Sequence, residues 1–237
     1  MKKFLLAIGL MLSANVAFAS GGGGCGTYQE PDPSNPENML EHHYDCSKAP
    51  VDVTDKASLQ RGAAVFMSYC VGCHSAKYMR YERMATDLAI PPELVQKYMM
   101  FTTNKIGDHI NAKIDPKLQK QWFGNPAPDL TMETRLRSPD WVYSYLLTFY
   151  QDDKRPWGVN NIVFKDVAMP HVLYSMQQEL GDEEYVARVG DLVNFMTYMA
   201  EPIQHDRKVY GFFVILFLLI LLIPVYLLNK EYWKDVK

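Results

Sequence analysis

Two unbroken apolar segments lie near the two ends of the chain. The first runs from Phe4 to Leu12, follows the basic pair Lys2-Lys3, and is succeeded by the small residues Ala17-Phe18-Ala19. This order is typical of a secretory signal peptide, here residues 1–19, and the apolar run is too short to span a membrane. The second segment, Val209–Leu228, has no charged residue and as a helix would reach roughly 30 Å, the thickness of the hydrocarbon core. We therefore expect an exported chain anchored by one C-terminal transmembrane helix.

Between these segments, apolar residues recur at the spacing of α-helices, and no strong strand pattern or internal repeat is found. The fold is therefore predicted to be mainly α. Four helices are predicted: from Asp55 into residues 70–74, from Pro91 to Met100, from Asp140 to Tyr150, and from Gly181 to Glu201. Residues 101–131 and 151–171 are predicted loops, because Gly and Pro interrupt the first and the second has no clear period.

The predicted boundaries divide the chain into five parts. After the signal peptide, residues 20–50 are rich in Gly, Pro, Asn and Ser and are expected to form an irregular N-terminal extension. Residues 51–206 form the main domain, 209–228 the transmembrane helix and 229–237 a short tail. Because the signal peptide directs export, we expect a single-pass protein of the cell inner membrane, with its bulk in the periplasm and its tail in the cytoplasm.

The net charge of residues 20–206 limits which classes of binding partner are expected. Over residues 20–206, 17 Lys and Arg residues are outnumbered by 25 Asp and Glu residues. An acidic surface suits a basic protein partner and disfavours nucleic acid or an anionic membrane surface. Simple solubility remains an alternative explanation of this charge.

The most informative residues are Cys70-Val71-Gly72-Cys73-His74, which form the attachment motif of a c-type haem. Two thiols three positions apart can bond the two vinyl groups of one porphyrin, and the following histidine then supplies the proximal iron ligand. A redox dithiol is less favoured because no βαβ pattern surrounds the motif. A zinc site would need two further ligands, and the remaining cysteines lie far upstream.

Those remaining cysteines, Cys25 and Cys46, lie in the predicted N-terminal extension. In an oxidising compartment they can close a loop whose bridge is worth roughly 3 kcal/mol. We favour this intramolecular disulfide over two free thiols or an intermolecular bond. Lipidation of Cys25 is disfavoured, because glycines precede it and the apolar region ends well upstream.

A haem iron with one histidine ligand needs a sixth ligand or an open site. Of the 13 methionines, Met169 lies in a late loop before the last helix, and Pro170 stiffens the backbone beside it. Met176 is the second candidate, and His171 would give bis-histidine ligation. A thioether ligand raises the reduction potential, which suits an electron carrier.

Six segments form a set in this order along the chain: Asp55–Gly62, Cys70–Ser75, Ala127–Thr131, Ala168–Pro170, Ala200–Pro202 and His205–Lys208. Taken together, they resemble the cytochrome c1 family over about Val51 to Lys237. The resemblance implies a class I-like c-type cytochrome domain with long loop insertions. It implies that one haem c is bound covalently through Cys70 and Cys73, with His74 and Met169 as axial ligands. It also implies a propionate partner, Arg137, with Arg135 as second choice.

The resemblance further implies a function within a complex. The family supplies the haem subunit of the dimeric cytochrome bc1 complex, which also contains cytochrome b and the Rieske iron–sulfur protein. This chain would accept one electron from the Rieske protein and pass it to a periplasmic cytochrome c, and it would have no catalytic residue of its own. Residues 20–50 match no family pattern, and the loop Lys154–Asn161 fits the proteobacterial form of the family.

The sequence leaves three other interpretations of the protein's function open. Another membrane-anchored monohaem cytochrome would share the haem motif but not the Pro128-Asp129-Leu130 segment or the late Met-Pro loop. A peroxidase or gas sensor would have an open haem site. A scaffolding domain on one helix would carry the motif by accident.

Overall fold

The computed structural model describes residues 25–32 and 35–235. The predicted signal peptide, residues 1–19, lies outside the described residues. Nine α-helices, one π-helical turn and six short strands follow in chain order among the described residues. The strands are β1 (Gly26–Asp32), β2 (Asn35–Tyr44), β3 (Ala76–Arg80), β4 (His109–Ile110), β5 (Phe149–Gln151) and β6 (Val159–Asn161). The helices are α1 (Lys56–Val65), α2 (Tyr81–Asp87), α3 (Pro92–Tyr98), α4 (Pro116–Phe123), α5 (Glu133–Arg137), α6 (Pro139–Leu147), α7 (Tyr174–Leu180), α8 (Asp182–Ala200) and α9 (Gln204–Tyr232), with the π-helical turn at Phe66–Cys70.

The π-helical turn continues α1 directly into the cysteine motif. Helix α1 begins where predicted because the Asp55 carboxylate accepts a hydrogen bond from the Ser58 amide, the usual N-cap arrangement. Helix α8 opens with three acidic residues, Asp182, Glu183 and Glu184, which favour a helix N-terminus electrostatically.

The core is built on the crossing of α1 and α8. At the crossing point Gly62 leaves no room for a side chain, since a Cβ there would overlap the Asp191 carbonyl oxygen and lie 2.7 Å from Phe195 Cβ. The rings of Phe66 and Phe195 meet beside it, with centroids 5.7 Å apart. The small residue therefore lets the two backbones approach, and the aromatic pair fills the space on either side.

Polar groups fix the register of the same two helices. Arg61 on α1 donates two hydrogen bonds to the Asp191 carboxylate on α8, at 2.6 and 2.8 Å. Asn194 donates to the Asp52 carbonyl at 2.7 Å and to the Ser58 hydroxyl at 3.0 Å. A slide of one helix along the other would break these directional bonds and leave buried groups unpaired.

The prediction of an irregular segment over residues 20–50 is wrong for most of its described part. Strands β1 and β2 form an antiparallel hairpin in which Gly26 pairs with Tyr44 and Pro31 with Met39. Both strands contain residues that are depleted in strands, among them Pro31, Asp32 and Asn35, so composition alone points away from a hairpin here. At the base of the hairpin, the structure joins Cys25 to Cys46 by a disulfide, with their Cα atoms 5.0 Å apart.

The segment after the hairpin is tied to the main domain. The Ser47 amide donates to the Ser144 hydroxyl at 2.8 Å, and the Ala49 amide donates to the Asp140 carboxylate at 2.8 Å. Both acceptors belong to α6, so the N-terminal extension is held against the helix that also contributes to the candidate site.

The two predicted loops contain some regular structure. Helix α4 lies within the predicted loop 101–131, and β6 lies within the predicted loop 151–171. The predicted helix from Asp140 to Tyr150 ends at Leu147, and the next residues form β5. These elements are short, and β5 and β6 pair with each other as antiparallel strands.

Helix α9 extends past both ends of the predicted membrane segment 209–228. Among the described residues it is the one helix long and apolar enough to cross a membrane, and it buries no residue against the rest of the chain. Pro224 lies within it, a residue that membrane helices tolerate. This confirms the prediction of an apolar C-terminal helix suited to a single-pass anchor.

Candidate haem site

The cysteine motif follows the π-helical turn and folds as a tight turn of its own. The amides of Cys73 and His74 both donate to the Cys70 carbonyl, at 3.1 and 2.8 Å. Helical hydrogen bonding thus continues through the motif and brings both cysteines and the histidine close together. No sequence pattern predicts the π-helical turn, a feature often found at functional sites.

Both motif thiols are unpaired in the structure, Cys70 buried and Cys73 half-buried. Burial, together with the neighbouring Cys73, raises the pKa of the Cys70 thiol to about 12. A redox-active dithiol needs the opposite, a cysteine whose pKa is lowered towards neutrality. Within residues 25–32 and 35–235, no group of three or more His, Cys, Asp or Glu side chains is arranged to hold a metal ion.

The imidazole of His74 is oriented by a backbone carbonyl. Its Nδ1 lies 2.8 Å from the Pro128 oxygen, and because a carbonyl only accepts, Nδ1 must carry the proton. Burial lowers the pKa of His74, and the hydrogen bond to Pro128 opposes this only in part. The ring is therefore favoured as neutral imidazole with a lone pair on Nε2, the form that ligates iron.

The segment that supplies the Pro128 carbonyl is bonded to the residues after the motif. Asp129 accepts a hydrogen bond from the Lys77 amide at 2.9 Å, and Leu130 donates its amide to the Ser75 carbonyl at 2.8 Å. The same Asp129 carboxylate accepts from the Thr131 amide at 3.0 Å. These bonds fix the position of Pro128 and hence the orientation of the His74 ring.

Gln119 on α4, which was not among the predicted site residues, makes a second connection between the same two segments. Its side chain, 3% exposed, donates to the Cys73 carbonyl at 2.7 Å and accepts from the Ala127 amide at 2.9 Å. A glutamine in a short polar helix has no sequence signal that distinguishes it from a surface residue.

Met169 is half-buried in the loop between β6 and α7. Its sulfur accepts a hydrogen bond from the Tyr145 hydroxyl at 3.4 Å. Met176, the second candidate ligand, is instead 5% exposed and packs in the hydrophobic core. These surroundings favour Met169 as the methionine available to a prosthetic group, and the assignment stays a prediction.

His171, the other alternative, is occupied by neighbouring groups. Its ring stacks on Phe149 with centroids 4.9 Å apart and an interplanar angle of 8°. Its Nε2 lies 3.1 Å from the Gln177 side-chain oxygen. Ligation through Nε2 would require the contact with Gln177 to be broken, whereas Nδ1 is buried without a hydrogen-bond partner among the described residues.

Arg137 lies at the end of an aromatic ladder that leads to Met169. Its guanidinium is 4.3 Å from the centroid of the Trp141 ring, and Trp141 stacks on Tyr145 at 5.3 Å with an angle of 6°. Arg137 also pairs with Glu133 at 2.7 Å. The structure thus places Arg137 and Met169 on one ladder, while its predicted propionate role stays a prediction, as does that of the exposed Arg135.

The donor set fits a c-type haem. Two unpaired thiols, a neutral imidazole with its Nδ1 already bonded, and a thioether on a loop are the groups that such a haem requires. The unpaired state of Cys70 and Cys73 is notable because Cys25 and Cys46 are bonded to each other in the same structure.

The chain is similar to known proteins along its whole length. A profile of the cytochrome C1 family matches residues 46–236. The chain is 43% identical to cytochrome c1 of Allochromatium vinosum, over 100% of both chains. It is 41% identical to a Nitrosomonas europaea protein named ammonia monooxygenase gamma subunit, over 80% of this chain and 88% of that one. It is 27% identical to a mitochondrial cytochrome c1 of Solanum tuberosum, over 83% and 88%.

The profile match covers the main domain, the haem motif and the C-terminal apolar helix together. The prediction of a mainly α, class I-like c-type cytochrome domain with one C-terminal transmembrane helix is confirmed by the helices and by this match. Haem c is the cofactor that such a family implies. The chain belongs to the cytochrome c1 family.

Proposed function

We propose that this chain is the monohaem electron-transfer subunit of a quinol–cytochrome c reductase. The observation that carries the proposal is the His74–Pro128 hydrogen bond beside two unpaired thiols. It leaves Nε2 of a neutral imidazole free to bind iron next to the atoms that would attach a porphyrin. The similarity to a cytochrome c1 over both full chains supports the same function.

In this proposal each site residue has a defined task. Cys70 and Cys73 would hold one haem c through thioether bonds, and His74 and Met169 would ligate its iron. When bound, the haem supplies reversible one-electron oxidation and reduction. The chain contributes orientation: the Pro128 carbonyl holds the imidazole, and the Tyr145 hydroxyl holds the thioether. Arg137 would pair with a haem propionate.

The partners follow from the family and from the charge of the domain. The Rieske iron–sulfur protein would deliver one electron, and a periplasmic cytochrome c would receive it. Cytochrome b and the Rieske protein would accompany this chain in a dimeric complex. The excess of acidic residues over residues 20–206 suits a basic acceptor protein and disfavours nucleic acid.

The proposed topology places these partners on the correct side of the membrane. Residues 1–19 would direct export, residues 51–206 would lie in the periplasm, and residues 209–228 would cross the inner membrane among lipid and partner helices. Residues 229–237 would remain in the cytoplasm. The chain would then be an enzyme only as part of the complex.

Purification from membranes in mild detergent tests the proposal. We expect cytochrome b and a Rieske protein to accompany the chain, and acid-acetone extraction to leave its haem on the protein. If the pigment leaves with the solvent, covalent attachment fails. If the chain purifies with neither partner, its place in a quinol–cytochrome c reductase fails.

The Nitrosomonas europaea relative supplies a second candidate. Its name assigns it to ammonia monooxygenase, and its identity to this chain is close to that of the cytochrome c1 from Allochromatium vinosum. A chain that served a monooxygenase would purify with the other subunits of that enzyme. The full-length coverage favours the reductase, and the same purification separates the two functions.

A further inference from the structure

The turn that precedes Met169 is held by one arginine from a neighbouring loop. Arg155 donates from Nη2 to the Asp166 carbonyl at 2.6 Å and to the Val167 carbonyl at 3.2 Å. Its Nη1 donates to the Asp166 carboxylate at 3.1 Å. Three bonds from one guanidinium thus converge on the two residues just before Ala168-Met169.

The backbone at this turn has an unfavourable conformation. Asp166 has a φ of 62°, the left-handed region that side chains other than glycine seldom adopt. Its amide donates to the Asn160 side chain at 2.9 Å. Asn160 is 4% exposed and in turn donates to the Asp152 carboxylate at 2.9 Å. The surrounding bonds are what maintain such a conformation.

Asn161 extends the same support to the aromatic ladder. It is 1% exposed, and its side-chain oxygen accepts from the amides of Val163 and Phe164 at 2.9 and 3.0 Å. Its side-chain nitrogen donates to the Tyr145 carbonyl at 2.7 Å. The residue that contacts the Met169 sulfur and the loop that carries Met169 are therefore bonded to one scaffold.

We infer that Arg155 is a positioning residue, which holds the Asp166–Val167 turn so that the Met169 sulfur stays at its place beside Tyr145. The inference rests on the proposed function in one respect, the assignment of Met169 as an iron ligand. The distal loop, residues 162–173, contains no helix or strand, so its backbone has no ladder of its own to fix it. The bonds to Arg155, Asn160 and Asn161 take that role.

The environment of Arg155 supports a structural task over that of an ordinary surface charge. Its side chain is 25% exposed, and its Nε is buried with no hydrogen-bond partner among the described residues. The planar guanidinium can reach two adjacent carbonyl oxygens at once, whereas a lysine ammonium on a flexible stem has no such fork. The inference therefore depends on residue 155 being an arginine.

The experiment uses the full-length haem protein in detergent. Arg155→Ala and Arg155→Lys are compared with Asp166→Asn. The Asp166→Asn change keeps the backbone carbonyl acceptors of the turn, and asparagine tolerates a positive φ. Arg188→Ala is the matched control, because Arg188 is similarly exposed, at 29%, and pairs with Glu184 on α8. Two properties are measured. The first is the absorbance of the far-red band of methionine-ligated ferric haem, together with the pH at which this band disappears. The second is the rate of amide hydrogen exchange over the distal loop.

We expect the Arg155→Ala protein either to lose most of the far-red band at neutral pH or to lose that band at a lower pH than the wild type does. Its Asp166 amide hydrogen should also exchange faster than in the wild type. Arg155→Lys should show a smaller loss, while Asp166→Asn and Arg188→Ala should retain the band. Covalent haem content reports on folding, and if Arg155→Ala does not accumulate, Arg155→Lys decides the question with the same readouts.

Several results would overturn the inference. One is an Arg155→Ala protein, complete in haem, with unchanged band, pH dependence and exchange. Another is faster exchange with an unchanged band, since the arginine would then order the loop without holding the sulfur. A third is loss of the band in Asp166→Asn as complete as in Arg155→Ala. If the wild type itself lacks the band, the ligand assignment of the proposed function fails, and exchange in Arg155→Ala still decides whether Arg155 holds the turn.

Discussion

The Tyr145 hydroxyl donates a hydrogen bond to the Met169 sulfur across 3.4 Å. Burial raises the pKa of Tyr145 well above its usual range, so the phenol stays protonated and remains a donor at neutral and moderately alkaline pH. The tyrosine ring is held by its stack on Trp141. The position of the donor is therefore set by packing on α6 and by the hydrogen bond from Asn161 to the Tyr145 carbonyl.

Replacement of Tyr145 tests this contact. Tyr145→Phe removes the donor and keeps the ring, so the thioether becomes a better electron donor and stabilises ferric iron. We expect the reduction potential to fall by tens of millivolts, because one hydrogen bond is worth about 1 kcal/mol. Tyr143→Phe is the control, since the Tyr143 hydroxyl donates to the Val186 carbonyl instead. Equal potentials in the two variants would contradict the prediction.

The ligand assignment is tested by two methionine replacements. Met169→Leu should abolish the far-red charge-transfer band of the ferric protein and lower the potential, because a thioether favours the ferrous state. Met176→Leu should leave both properties intact, since Met176 packs in the core. The reverse pattern, measured by absorption and redox titration, would move the ligand to Met176.

Gln119 gives a stability prediction. Gln119→Ala leaves the Cys73 carbonyl and the Ala127 amide without their partner, and a buried group without a hydrogen bond costs about 1–3 kcal/mol. We expect the free energy of unfolding to fall by about that amount in denaturant titrations. Gln121→Ala, at an exposed position of the same helix, should have little effect. Similar losses in both variants would show that the helix, not the bridge, is the source of stability.

The crossing of α1 and α8 is tested at its closest point. Gly62→Ala places a methyl group on the Asp191 carbonyl oxygen, and backbone atoms cannot give way as a flexible side chain can. Overpacking of this kind typically costs about 1–3 kcal/mol, and we expect a loss at the upper end of that range. Gly107→Ala is the control, because its nearest neighbour is a Glu82 side-chain oxygen at 3.9 Å. Thermal unfolding of the two variants should differ clearly, and equal midpoints would refute the close crossing.

The disulfide is tested by mass spectrometry of the unreduced protein, which should recover Cys25 and Cys46 in one linked peptide pair. Replacing both with serine should increase proteolysis of the hairpin, because the bridge closes its base and a loop of this size is worth roughly 3 kcal/mol. The haem spectrum and potential should not change. Recovery of two free thiols, or of Cys25 bearing a lipid, would refute the bridge.

Much of the site was predictable because its chemistry is local in the sequence. Cys70, Cys73 and His74 lie within five residues, so one porphyrin can meet all three whatever the rest of the fold does. The cap at Asp55 and the apolar segment 209–228 are likewise patterns that depend on neighbouring residues. The hairpin at 26–44 was missed because its strands contain Pro31, Asp32 and Asn35, residue types that are depleted in strands.

The haem motif, the apolar C-terminal helix, the mainly α fold class and a short set of candidate sixth ligands can all be read from the sequence alone. Only the tertiary structure decided which partners surround them: Pro128 on the His74 ring, Tyr145 on the Met169 sulfur, and Arg155 on the turn before it. Covalent attachment and membrane insertion depend on residue type and local spacing. Hydrogen bonds between distant segments depend on where packing brings the backbone, and no local pattern encodes that.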